Sequence, residues 1–327
     1  MRKLFFIVLT LIVSACSKEP VPAPESLTFS ISADRFSVSG ISSGAYMAGQ
    51  LHIAHSALFR GAALLAGGPY YCAEGTLSKG IGACVQGGDL GIPALLDYAR
   101  AAAGAGLIDS VDNIADDPVW LFIGTLDDRV NAGVVDAAET YYRELGADVT
   151  LVNDVEVVHG MPTLNKGLEC STFGSPYIQN CNYDAAGALL RSLYGDLAAR
   201  TEASGELRVI DQVGGPDAQM LEKAFLYVPA SCAAGASCGI HVAFHGCAQS
   251  SAFIDDAFAM NAGYNEWAEA NQLLILYPQV AASKIAPMNP YGCWDWWGYT
   301  DENYATQQGQ QVKVIKAMLD SLAGSTL

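Results

Sequence analysis

The chain has 327 residues, of which 51% are hydrophobic and 16% charged, with a formal net charge of −17. That length and apolar content fit one large α/β domain with a sizeable core. The acidic balance excludes a binder of phosphate backbones, which such a surface would repel.

Met1-Arg2-Lys3 is a short basic region, and Leu4 to Val13 is an apolar run of signal-peptide length, too short for a membrane span. The run ends in V-S-A-C, residues Val13 to Cys16, which resembles a bacterial lipobox with Cys16 as the lipidated residue. Ser17-Lys18 leaves no Asp in the second position and so favours the outer membrane over the inner one. Residues 1–15 are therefore read as a lipoprotein-type signal peptide, 16–27 as a disordered tether and 28–327 as the catalytic domain. The protein is expected to be exported, as an outer-membrane or cell-surface lipoprotein, or otherwise periplasmic or secreted. Its only contact with the membrane would be the lipid.

Removing Cys16 from nine cysteines leaves eight, an even number in an exported chain, which implies four disulfides. Closeness in sequence suggests Cys72–Cys84, Cys170–Cys181 and Cys232–Cys238, leaving Cys247–Cys293 as the long-range bridge. None of these has C-x-x-C spacing, so no metal site is read.

The chain then alternates. "FSISADRFSVSG" ends in a strand, and "GAYMAGQLHIAHSALF" carries Met47, Leu51, Ala54 and Leu58 at helical spacing. "GAALLAGGP" and "VWLFIGTLDD" read as buried strands, "PALLDYARAAAGAG" and "VDAAETYYRELG" as helices stopped by glycine, and "DVTLVNDVEVVHG" as a strand running into a loop. The second half restarts with strands "GELRVIDQV" and "AFLYVP", with no helix between them. Strands "IHVAFHGC" and "QLLILYPQ" follow, separated by a helix "FAMNAGYNEWAEA", and "QQGQQVKVIKAMLDSL" forms a C-terminal helix. Strands separated by helices imply a single doubly wound, mostly parallel sheet.

Between the first strand and helix stands G-I-S-S-G, Gly40 to Gly44, the strand–turn–helix setting of a nucleophile elbow centred on Ser42. "GASCG", Gly235 to Gly239, fits the same pattern but is bracketed by cysteines and followed by a strand, so Ser237 is read as part of a disulfide loop. A serine needs a base and an orienting acid. Of five histidines, His159 follows a strand in a loop. His52 and His55 lie in the elbow helix, His241 starts a strand, and His245 belongs to an H-G-C oxyanion loop. "GTLDDR" offers Asp127, nearest the strand end, with Asp128 as the fallback. The oxyanion donors are expected to be the backbone N–H groups of Ser43 and Cys247.

The acid and histidine follow the elbow as in α/β-hydrolases, but the strands that should precede it lie at the end of the chain. Joining the C-terminal helix to the first strand would restore the usual order, so the fold expected is a circularly permuted α/β-hydrolase.

"SGISSGAYMAGQL", "AGGPYYCA", "GTLDDRV", "VHGMPT", "CSTFGSPYIQNCNYDAAGALL", "YVPASC", "HVAFHGCAQS", "GYNEWAEANQLLILYPQ" and "GCWDWWGY" together resemble the extracellular poly(3-hydroxybutyrate) depolymerases of the single-domain, circularly permuted type. The resemblance covers essentially the whole mature chain. It implies an ester hydrolase with Ser42 as nucleophile, Asp127 as acid and His159 as base. It also implies oxyanion donors at Ser43 and Cys247, and a substrate crevice lined by Trp296; of Trp294, Trp296 and Trp297, one or two are read as core, and Trp294 is counted with Trp296 as substrate-binding. No cofactor or metal is implied. The expected partner is a polyester polymer or oligomer, bound by a monomer. The lipobox and a short segment between "LYPQ" and "GCWDW" depart from the family. No second domain for polymer adsorption is read. The alternatives are a feruloyl or acetyl-xylan esterase with the same triad, or a non-catalytic surface lipoprotein.

Overall fold

The computed structural model describes residues 27–212, 216–325 and 327. The expected signal peptide, Cys16 and all but the last residue of the expected tether lie outside the described residues. Eleven strands follow in chain order: β1 (Ile31–Ile41), β2 (Ala62–Leu65), β3 (Pro118–Phe122), β4 (Asp148–Val152), β5 (Met161–Thr163), β6 (Leu168–Glu169), β7 (Ile178–Asn180), β8 (Glu206–Asp211), β9 (Lys223–Val228), β10 (Cys238–Phe244) and β11 (Leu273–Tyr277).

Eight of them form one sheet in the order β4-β3-β2-β1-β10-β11-β9-β8. Every neighbouring pair from β4 to β11 is parallel, and the β11–β9 and β9–β8 pairs are antiparallel. Starting the count at β8 gives the order expected of an α/β-hydrolase. An antiparallel pair comes first, then β10 leading into His245-Gly246, then β11, then the helix Gln310–Ala323, then β1 with the elbow. The junction that permutation requires is closed in space: the N–H of Phe29 donates to the carbonyl of Leu322 at 2.9 Å. The chain is a circularly permuted α/β-hydrolase of one domain, with a mostly parallel sheet.

The central strands are apolar on both faces because helices cover both. Alternation sorts their side chains. On β2 and β3, Ala62, Leu64, Val119 and Leu121 join the core under the elbow helix. Ala63, Leu65, Trp120 and Phe122 join a second core under the helices Ala185–Tyr194 and Tyr264–Asn271. Asn131 caps the helix Ala132–Glu144 by accepting the N–H of Gly133, and Asp184 caps Ala185–Tyr194 through Gly187.

Three sequence expectations change. The elbow helix runs only over Ser43–Ala54, and all twelve residues are buried, so it is not an amphipathic surface helix. The helix expected over "FAMNAGYNEWAEA" is two pieces, Ala257–Asn261 and Tyr264–Asn271, because Gly263 takes a left-handed φ of 91°. A small sheet, β5-β7-β6, and the helix Ala185–Tyr194 were not anticipated. All four expected cysteine pairs are bonded: Cys72–Cys84, Cys170–Cys181, Cys232–Cys238 and Cys247–Cys293.

Burial on all sides forces the polar residues of the central strands to satisfy one another. His241 on β10 stands between two serines of β1, Ser37 Oγ at 2.6 Å from Nδ1 and Ser39 Oγ at 2.7 Å from Nε2. Those hydroxyls reach Tyr194 and Tyr264. Burial depresses His241 to about 3, and His245 and His55 to about 4. Each binds its proton in the unfolded chain near pH 6.5 but not in the fold. The unfolded state therefore holds more protons below pH 6.5, and stability falls as pH drops from there towards these values, by about 1.4 kcal/mol per pH unit for each histidine. The urea midpoint should be clearly lower at pH 5 than at pH 7, a window above most carboxylate titration. A midpoint that stays level or rises would count against this account of the buried histidines.

Candidate active site

β1 stops at Ile41, and Ser42 turns the chain with φ 57° and ψ −122°, a strained conformation for a residue with a side chain. The turn is tight because glycine allows it. A methyl on Gly40 would lie 2.1 Å from the carbonyl oxygen of Gly44, and one on Gly44 would lie 2.4 Å from that of His245. The N–H of Ser42 is tied to Leu65 on β2, and its carbonyl accepts from Ala45 and Tyr46. Its hydroxyl caps nothing, although Ser42 stands at the N-cap. It is left free at the positive end of a helix.

The acid and the histidine come from the two strands farther along the same half-sheet. β3 ends at Phe122 and β4 at Val152, and the loops beyond them run together. Ile123 donates to Val152, Thr125 to Val155, and Leu126 to Val157. This lacing brings Asp127 Oδ2 to 2.7 Å from His159 Nδ1. The other oxygen of Asp127 accepts the N–H groups of Arg129 and Val130, each at 2.9 Å. The Asp127 side chain is 2% exposed. Asp128, one residue on, is 72% exposed and pairs with Arg129, so Asp127 is the carboxylate that orients the histidine. His159 Nε2 remains for the cleft, and Ser42 and His159 line the same one, of about 410 Å³.

The loop after β10 completes this cleft. A methyl on Gly246 would lie 3.4 Å from Ser42 Cβ, so the loop passes directly beside that serine. Its shape is held by Gln249, whose Oε1 accepts the N–H of Gly246 at 2.7 Å and whose Nε2 donates to the carbonyls of Pro176 and Tyr177. The carbonyl of Tyr291 accepts the N–H of Ala248. The Cys247–Cys293 disulfide ties the same loop to the "GCWDWWGY" segment. Among the described residues the N–H of Cys247 has no acceptor, and that of Ser43 is a first-turn helix donor with none inside its helix.

None of the remaining histidines lines the cleft among the described residues. His52 contacts Asp117 and Tyr142. His55 and His241 are buried, and His241 lies within β10, not at its start. His245 Nδ1 faces the carbonyl of Gly246. Ser237 is exposed between Cys232 and Cys238.

The expected tryptophans do not line the cleft. Trp294 is fully buried against Phe244 and donates through Nε1 to the carbonyl of His245, at the start of the loop after β10. Trp296 is 8% exposed and stacks on Tyr46 at 5.5 Å. The segment is turned inward by Asp295, which is buried and accepts four backbone N–H groups and the hydroxyl of Thr300. The aromatic wall is supplied by Phe173, Tyr177 and Tyr291 instead. None of these, nor Gln249 and Arg129, was singled out from sequence. The nearest signals were the Cys170–Cys181 bridge around Phe173 and Tyr177, and the position of Gln249 two residues after Cys247.

Comparison with known proteins follows the same lines. No family model matches the chain. It is 37% identical over 305 residues to a polyhydroxybutyrate depolymerase of Talaromyces funiculosus, covering 88% of this chain and 89% of that one. The chain belongs to the poly(3-hydroxybutyrate) depolymerase family. A poly(3-hydroxybutyrate) depolymerase of Delftia acidovorans is 41% identical over 305 residues, and the match spans 60% of that relative's length. Among solved structures, the depolymerase of Penicillium funiculosum superposes with a TM-score of 0.85 at 35% identity, over 91% of this chain and 98% of that one. A serine-to-alanine variant of a PHB depolymerase, solved with an R3HB trimer, matches with the same values.

Proposed function

We propose that the chain is a serine esterase that hydrolyses the ester bonds of poly(3-hydroxybutyrate), related short-chain polyhydroxyalkanoates or their oligomers. One observation carries this reading: a strained serine with an unused hydroxyl shares a cleft with a histidine whose Nδ1 is held by a buried carboxylate. Ser42 Oγ attacks the ester carbonyl while His159 Nε2 takes its proton. Asp127 orients the imidazole and stabilises its charge without accepting the proton. The N–H groups of Ser43 and Cys247 stabilise the tetrahedral oxyanion. The 3-hydroxyacyl alcohol leaves with the proton from His159, and water deacylates Ser42 in the reverse sense.

The polyester substrate is supported by the names of the relatives and by the apolar character of the cleft. The rim around it carries exposed Phe173, Tyr291 and, beside Gly292, Phe253. Met288 and Ile285, in the loop between β11 and Cys293 that also carries Tyr291, are exposed as well. Such a rim suits adsorption to an apolar polymer surface through the catalytic domain itself. The four disulfides fit an exported chain, and among the described residues no helix is long and apolar enough to cross a membrane. A lipid on Cys16 would hold the enzyme at the cell surface and favour soluble oligomers over granules.

Purified protein should clear a suspension of poly(3-hydroxybutyrate) or degrade its soluble oligomers, and should leave feruloyl esters and acetylated xylan largely intact. Cleavage of only the carbohydrate esters would overturn the polyester reading while leaving the esterase site in place.

A further inference from the structure

We infer that Arg129 forms a carboxylate subsite on the leaving-group side of the cleft, so that the enzyme prefers oligomers ending in a free acid. The inference rests on the ester-hydrolase reading above.

Arg129 lines the cleft with Ser42 and His159, and among the described residues no carboxylate does. That is notable in a chain with 34 acidic and 17 basic residues. The guanidinium lies over the Phe173 ring, 4.4 Å from its centroid. Among the described residues its only ion pair runs from Nε to the 72% exposed Asp128, a contact weakened by water. Among the described residues its two Nη atoms donate to no protein acceptor. A planar fork with free donors at the mouth of an apolar cleft is suited to a carboxylate.

The direction of the polymer says which carboxylate. Each scissile ester of a hydroxy-acid chain divides it into an acyl side, which stays on Ser42, and an alcohol side, which leads to the carboxyl terminus. Cleavage breaks the acyl C–O bond, and the departing oxygen takes its proton from His159. The alcohol side therefore lies towards His159. Arg129 stands there too, because its backbone N–H is bonded to the same carboxylate that holds His159. A short leaving segment would present its terminal carboxylate to the guanidinium.

The test uses the (R)-3-hydroxybutyrate trimer as free acid and as methyl ester. At low salt the wild-type kcat/KM should favour the free acid by about tenfold, the scale of a charged hydrogen bond at a partly exposed site. Arg129→Gln should bring the ratio close to one, and Arg129→Lys should keep part of it. Salt at about 0.5 M should narrow the wild-type ratio by screening. A purely structural role for Arg129 would lower both rates together and keep the ratio. That result, or a wild-type ratio near one with both trimers cleaved, overturns the subsite and spares the polyester reading. Failure of the wild type to cleave either trimer overturns both.

Discussion

Ser42→Ala should lower kcat on a soluble ester by a factor on the order of 10⁶, the scale seen when the nucleophile of a serine triad is removed. The loss should be confined to chemistry. The hydroxyl caps no helix and makes no hydrogen bond within the described residues, so its removal leaves the elbow's backbone contacts to Leu65, Ala45 and Tyr46 in place. Melting temperature should move little. Ser43→Ala is the informative partner. Ser43 Oγ is buried without a hydrogen-bond partner, and its proposed role belongs to the backbone N–H, which alanine retains. Its kcat should stay within a few-fold of wild type. A fluorophosphonate should label Ser42 and leave Ser237 untouched. Residual activity above about a hundredth in Ser42→Ala, or labelling at Ser237, would remove Ser42 as the nucleophile.

What could be read from the sequence was whatever is local. The G-I-S-S-G turn announces itself because glycine spacing, strand and helix are contiguous, and the structure explains both glycines by backbone contacts under 2.5 Å. The permutation was legible because element order survives cutting and rejoining, and the Phe29–Leu322 hydrogen bond closes the joint. Trp294 and Trp296 of "GCWDWWGY" were misplaced because the direction of the segment is set by Asp295. Its five hydrogen-bonded donors curl the segment inward, and nothing in the pattern marks an acidic residue as the organiser of a buried turn. The aromatic wall was missed for the converse reason. Phe173, Tyr177 and Tyr291 come from two loops over a hundred residues apart, which are joined through the loop after β10 by Gln249, the Ala248–Tyr291 backbone hydrogen bond and the Cys247–Cys293 disulfide. Long-range side-chain bridges of that kind have no period and no motif.

The choice between the adjacent aspartates turns on hydrogen-bond direction, and it makes the second large prediction. Asp127→Asn should reduce kcat by about 10⁴-fold, and Asp128→Asn by less than about threefold. In the native loop one oxygen of Asp127 is pinned by the N–H groups of Arg129 and Val130, and the other faces His159 Nδ1. An asparagine there must keep its carbonyl oxygen on the two backbone donors, because an amide NH₂ facing them would leave three donors without an acceptor. The amide nitrogen is thereby forced towards His159. It donates to Nδ1, which must then carry a lone pair, and the ring proton moves to Nε2. The nitrogen that should accept the proton of Ser42 is already protonated, and the base is lost without displacing an atom of the site. Asp128 has no such leverage, since it is exposed and its side chain pairs, among the described residues, with Arg129 alone. Steady-state kinetics of the two variants, with melting curves to show that both are folded, decide the matter. Equal losses, or an Asp127→Asn enzyme within about tenfold of wild type, would mean that the 2.7 Å contact between Asp127 and His159 does not set the tautomer of the base.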